Sequence, residues 1–145
     1  MIDYLGIPLH AINDIKHGAS WTREDGTVVP NDRLVTPSAP PRSYAYLSDT
    51  APCPQHAERL HGIDLLFHEA TFANTEKARA AETFHSTAEQ AAQMAQLAEA
   101  RQLIIGHFSS RYDNEEPLLQ ESRALFPQTI LAQEGLTVAV GPRRK

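Results

Sequence analysis

Asp49, Glu69, His85 and His107 have the side-chain types and the placement to hold a metal ion and move a proton. Asp49 follows the apolar run Tyr44-Ala45-Tyr46-Leu47, and His107 follows Leu103-Ile104-Ile105-Gly106. Carboxylates and neutral imidazoles are zinc ligands, but zinc takes three or four donors, so these two alone do not define a site. Singly, Asp49 also reads as a turn former or helix cap and His107 as a structural histidine at a strand end. Glu69, at the end of another apolar run, and His85, just ahead of a helix, add a second chemistry. A carboxylate beside a histidine orients the ring and favours its cationic form. An imidazolium near the partly positive start of a helix suits a phosphate or a developing oxyanion. The alternatives are a surface charge for Glu69 and a packing residue ahead of the cap for His85.

The elements that must position these groups are legible from apolar periodicity and turn chemistry. Tyr44–Leu47, Ile63–His68 and Gln102–Gly106 read as buried strands. Each ends in a short polar segment, carrying Asp49, His68 or His107 in turn. Strand ends converge in α/β sheets, which gives one shared site a geometric basis. A short helical turn is expected over Pro54–Leu60. The clearest helix starts at Ser86, which with Glu89 forms a capping box, and it carries an alanine-rich apolar face, Ala88, Ala91, Ala92, Ala95 and Leu97-Ala98. Pro117 to Phe126 reads as another helix with proline in its first turn. Thr129–Ala132 and Leu136–Val140 are expected as short closing strands. Residues 1–43 form an irregular connector region, with a turn at Glu24-Asp25-Gly26-Thr27 and an extended stretch at Thr36-Pro37-Ser38-Ala39-Pro40-Pro41. Residues 44–145 hold the regular strand–helix alternation of an α/β layer fold.

Composition narrows the setting. With 145 residues, 41% of them hydrophobic, the chain suits one packed domain and not a disordered segment. No window approaches a membrane-spanning length, and Met1 to His10 has no secretory-leader pattern. A single cysteine, Cys53, rules out an internal disulfide framework and fits the cytoplasm. The net charge of −5 is unusual for a nucleic-acid enzyme, because phosphate neutralisation by Lys and Arg supplies much of the affinity. The candidates for locally concentrated positive charge are Arg42, Arg111 and the Arg143-Arg144-Lys145 tail, which also reads as a solvated terminus.

Four segments occur in a telling order: Ser48-Asp49-Thr50, Leu66-Phe67-His68-Glu69-Ala70-Thr71-Phe72, Phe84-His85-Ser86-Thr87-Ala88 and Ile105-Gly106-His107-Phe108-Ser109-Ser110-Arg111-Tyr112. From Tyr44 to Leu136 the chain resembles ribonuclease Z, the tRNA 3′-processing endoribonuclease of the metallo-β-lactamase superfamily. The H-E-A-T and H-S-T segments at this spacing are the specific part. The resemblance implies an α/β fold, the C-terminal half of a metallo-β-lactamase αβ/βα sandwich, as one mixed sheet with flanking helices. It implies Asp49 as a ligand bridging two zinc ions and His107 as a ligand of the second. It further implies His85 as the group that assists the leaving oxygen, Glu69 as its partner and His68 as a supporting residue. Arg111 and Ser109 are then placed to meet phosphate or RNA, with packing against Tyr112 as the alternative for Arg111. Precursor tRNA is the implied substrate, and a second copy of the protein, in a homodimer, the implied partner.

The family's H-x-H-x-D-H segment does not occur in this sequence. His10, His17, His56 and His61 lack the spacing to replace it and read as surface residues. The resemblance therefore implies an N-terminal half outside these residues, and weak metal binding by this chain alone. It also implies an apolar sheet face in need of that half, so that the chain by itself associates through the face or behaves poorly. Two other readings remain: a different metallo-β-lactamase-fold phosphodiesterase or small-molecule hydrolase, and a non-catalytic binding or assembly module.

Overall fold

The computed structural model describes residues 6–36 and 40–141; the Arg143-Arg144-Lys145 tail and residues 37–39 of the proline-rich stretch lie outside them. The chain divides into two compact units, Met1–Pro40 and Pro41–Lys145. In the first, a helical turn at Leu9–Ala11 runs into α1 (Ile12–Lys16). The strands β1 (Trp21–Thr22) and β2 (Val28–Val29) pair antiparallel across the Glu24–Thr27 turn. Asp25 accepts the Thr27 N–H at 2.8 Å, and Gly26 supplies the positive φ, 81°, that the turn needs. A short helix α2 (Asn31–Leu34) follows, tied back by the Asn31 amide, which donates to the Ile15 and Ala19 carbonyls.

The second unit is built on a four-stranded sheet in the order β3 (Tyr44–Leu47), β4 (Leu65–Glu69), β5 (Leu103–Gly106), β6 (Thr129–Leu131). All three pairings are parallel, so the sheet is not the mixed one expected from the sequence. The antiparallel pairing among the described residues is the separate β1–β2 ribbon. Leu136–Val140, expected as a closing strand, has no ladder partner among the described residues and is irregular. The helical turn after Cys53 is present as two single turns, Pro54–His56 and Glu58–Leu60.

Parallel neighbours need crossovers, and three further helices lie in them: α3 (Lys77–Glu82), α4 (Ala88–Leu97) and α5 (Glu116–Leu125). The apolar residues of α4 and α5 pack with Leu66, Leu103 and Ile105 in one core. Ala88, Ala91, Ala92 and Ala95 are fully buried. With side chains this small, the α4 backbone lies close against the sheet, as the alanine spacing predicted, but Leu97, expected on the same face, is exposed. The helix ends in a Schellman pattern: Ala100 N–H bonds the Ala95 carbonyl and Glu99 N–H the Gln96 carbonyl, with Glu99 at φ 48°.

The start of α4 differs from expectation by one residue. The capping box is formed by Thr87 and Gln90, not by Ser86 and Glu89. Tertiary bonds explain the shift. The Ser86 hydroxyl donates to the Thr50 carbonyl at 2.8 Å and its N–H donates to Glu69 at 3.1 Å, so Ser86 is already engaged with the site. Thr87 is the next residue free to cap.

On the opposite face of the sheet lie Tyr44, Tyr46, Phe67, Ile104 and Ile130, by strand alternation and register. Tyr46 stacks on Phe67 with ring centroids 4.4 Å apart, yet Tyr44 and Tyr46 remain 55% and 61% exposed on the edge strand β3. At Gly106 an added Cβ would sit 2.9 Å from the Phe67 ring and from the Ala132 Cβ. Gly106→Ala is therefore expected to force those groups apart and cost about 1–3 kcal/mol by overpacking. Chemical denaturation measures that cost, and an unchanged midpoint would show that the strand shifts freely.

Candidate functional site

The carboxyl ends of β3, β4 and β5 are adjacent by register, since Leu47 pairs with His68 and Glu69 with Gly106. Asp49 lies two residues past β3 and His107 one residue past β5. Both have left-handed backbone, φ 50° and 59°, as does Phe84 (φ 58°) immediately before His85. Such conformations cost of order 1–2 kcal/mol in a non-glycine residue, and they gather at functional sites when the surroundings hold them. Here they turn three loops so that Asp49, His85 and His107 face one another.

Glu69 is the anchor. It is fully buried and accepts from five donors: Thr50 N–H (2.7 Å), Thr71 N–H (3.3 Å), Thr71 Oγ–H (2.6 Å), Ser86 N–H (3.1 Å) and His85 Nδ1–H (2.8 Å). Burial pushes its carboxyl pKa up, but the bonds from Thr71, His85, Ser86 and Thr50 together outweigh burial and hold it below the usual carboxylate range. Glu69 is thus a buried carboxylate that joins the Asp49 loop, its own loop and the loop carrying His85.

With Nδ1 directed at Glu69, His85 has its other ring nitrogen available to the open side of the site; its ring lies 5.4 Å from that of His107. Asp49 Oδ1 and His107 Nε2 are 3.2 Å apart. Asp49, His85 and His107 each offer one ligand atom, and all three atoms lie within 4.8 Å of one another. Two donors each about 2.0–2.2 Å from a tetrahedral zinc are roughly 3.3–3.5 Å apart, so the Asp49–His107 spacing fits neighbouring ligands of one ion. The inclusion of His85 in this group went unforeseen, because its position depends on the Glu69 bond and the turn at Phe84.

Not every residue singled out in the sequence joins the cluster. His68 is buried within β4, its Nδ1 on the Glu69 carbonyl at 2.7 Å, and burial depresses its pKa so that the ring is neutral. Arg111 sits 5.0 Å over the Phe72 ring and pairs with Glu76 at 3.1 Å, while its Nε–H donates to Ser109 Oγ at 3.2 Å. Arg111 is therefore packed against Phe72. Tyr112 is engaged elsewhere, its hydroxyl accepting the Ala73 N–H at 2.8 Å. His10, His17, His56 and His61 are exposed and outside the cluster. Thr71, within the H-E-A-T segment but without an assigned role, touches Glu69, His85 and His107.

This layout, a parallel sheet with metal-ligand types and a carboxylate–histidine pair at its strand ends, is that of a metallo-β-lactamase fold. The chain belongs to the β-lactamase superfamily, whose domain model matches residues 14–108. It is 54% identical over 140 residues to Ribonuclease Z of Phocaeicola vulgatus, an alignment covering 97% of this chain and 45% of that protein. Ribonuclease Z of Porphyromonas gingivalis strain W83 is 46% identical over 136 residues, covering 94% and 45%. The chain thus spans about half the length of the curated relatives it matches. Among solved structures, human tRNase Z, short form, aligns at TM-score 0.56 and 26% identity, over 79% of this chain and 37% of that one. The metallo-β-lactamase fold protein YhfI of Bacillus subtilis aligns at TM-score 0.59 and 20% identity, over 64% and 37%, a likeness of fold.

Proposed function

We propose that this chain supplies one part of the active site of a zinc-dependent endoribonuclease that removes 3′ trailers from precursor tRNA. The observation that carries the reading is the convergence of Asp49 and His107 with the Glu69–His85 pair at adjacent strand ends. The relatives named Ribonuclease Z support it. Asp49 and His107 would hold metal, with two zinc ions in the whole protein. When bound, such ions supply Lewis-acid stabilisation of charge at a phosphoryl group. Glu69 fixes the His85 ring, and His85 protonates the departing 3′ oxygen. Asp49 and His107 are two ligands where zinc usually has three, and in this reading the free ring nitrogen of His85 serves the leaving oxygen, so the chain alone binds zinc weakly.

Arg111 and Ser109 form a polar edge that meets the RNA backbone once Glu76 releases the guanidinium. The other partners in this reading are the remaining half of the domain, over the Tyr46–Phe67 face, and a second copy of the whole protein in a cytoplasmic homodimer. No helix among the described residues is long and apolar enough to cross a membrane.

The test uses the whole protein and a precursor tRNA with a 3′ trailer. The expected product ends at the discriminator base with a 3′ hydroxyl, and zinc chelation abolishes its formation. Turnover of small phosphodiesters alone would favour another hydrolase of this fold, and no turnover of either would favour a binding module.

A further inference from the structure

Thr71 has one hydroxyl proton and four acceptors or exchange partners around it. Glu69 Oε2 is 2.6 Å away, the His107 carbonyl 3.0 Å, His107 Nδ1 2.9 Å and His85 Nδ1 3.4 Å. The carboxylate is the closest and the only charged acceptor, at a length typical of a charge-assisted O–H···O⁻ bond. His85 Nδ1–H already points to Glu69 at 2.8 Å and so does not serve Thr71. With its proton on Glu69, Thr71 Oγ can meet His107 Nδ1 only as an acceptor. His107 must then carry its proton on Nδ1.

We propose that Thr71 is a positioning residue that sets the tautomer of His107, holding Nδ1 protonated so that Nε2 presents its lone pair to the Asp49 side of the site. The inference rests on the reading of His107 as a metal ligand for its purpose, though not for its geometry. In this tautomer His107 Nε2 and Asp49 Oδ1 are both acceptors, 3.2 Å apart, an arrangement that a shared cation stabilises and a hydrogen bond does not. It also makes one chain of contacts from His85 through Glu69 and Thr71 to His107, so the proton-donating group and the ligand are oriented by the same carboxylate. Histidine ligands usually owe their tautomer to such a bond on the other ring nitrogen. Here the acceptor is a hydroxyl oxygen whose own proton is held elsewhere.

The experiment is long-range ¹H–¹⁵N correlation spectroscopy of the whole protein stripped of metal, under conditions where its histidines are neutral. The His107 signals are assigned by His107→Gln. His107 is expected as the Nδ1–H tautomer in the parent chain. In Thr71→Val it should move toward the Nε2–H form that free histidine favours, and in Thr71→Ser it should return. A parent His107 protonated on Nε2 overturns the proposal without recourse to any variant. So does an Nδ1–H tautomer that persists in Thr71→Val. A cobalt or zinc titration followed at the same nuclei separates the two levels. If the tautomers behave as stated and added metal leaves Nε2 unshifted, Thr71 keeps its role and the metal-ligand reading of His107 fails.

Discussion

Replacing His85 by alanine in the whole protein is expected to lower the rate of precursor tRNA cleavage by about 10²–10⁴-fold, the range for loss of a positioned general acid. The expectation follows from the arrangement of the ring. Nδ1 is held 2.8 Å from a buried carboxylate, and the side chain is only 24% exposed. Single-turnover kinetics read the chemical step directly. A substrate with a better leaving group should recover part of the loss, because it needs less protonation. Metal content of the whole protein should be little changed. Substantial metal loss in His85→Ala would instead make His85 a ligand, as its place beside Asp49 and His107 permits.

Glu69→Ala is expected to have the larger structural effect. It removes the acceptor of five hydrogen bonds, four of them from groups on Thr50, Thr71 and Ser86. Leaving buried donors without their acceptor costs about 1–3 kcal/mol for each such group. The loops of Asp49 and His85 should loosen together, since the Thr50 and Ser86 N–H groups end on the same carboxylate. Thermal unfolding and amide exchange at Thr50, Thr71 and Ser86 test this. Full protection of those amides in the variant would show that the loops are held by other means.

Both buried ionisable groups of β4 make the chain sensitive to acid. Burial depresses the His68 pKa, so the unfolded chain binds a proton that the folded chain refuses. Stability is then complete above the ordinary histidine value of about 6.5 and declines as pH falls below it. Glu69 follows at lower pH: its pKa is depressed by the donors around it, so its contribution is present above the ordinary carboxylate range and fades as pH falls through the depressed value. As pH is lowered from about 8, denaturation midpoints should fall first below about 6.5 and again only below about 4.5, and His68→Gln should remove the upper step.

Features that depend on local pattern are readable without coordinates. Apolar runs mark Tyr44–Leu47 and Leu103–Gly106 as strands, but only Leu103–Gly106 is buried throughout; the expected burial of Tyr44–Leu47 fails because it is an edge strand with Tyr44 and Tyr46 exposed. The alanine spacing marks α4, and the polar residues just past each strand mark where side chains meet. The H-E-A-T and H-S-T segments mark Glu69 and His85. How these groups are joined is a matter of tertiary contact. Thr71 and His107 are 36 residues apart, Thr50 and Glu69 are 19, and no periodicity encodes a hydrogen bond across such gaps. The same long-range bonds drew Ser86 away from capping and left the cap to Thr87. Arg111 was settled by Glu76, a charge 35 positions away on another loop. Leu136–Val140 has a strand's composition, but strand formation requires a neighbour with free backbone groups in register. β6 pairs with β5, and no such neighbour meets Leu136–Val140 among the described residues.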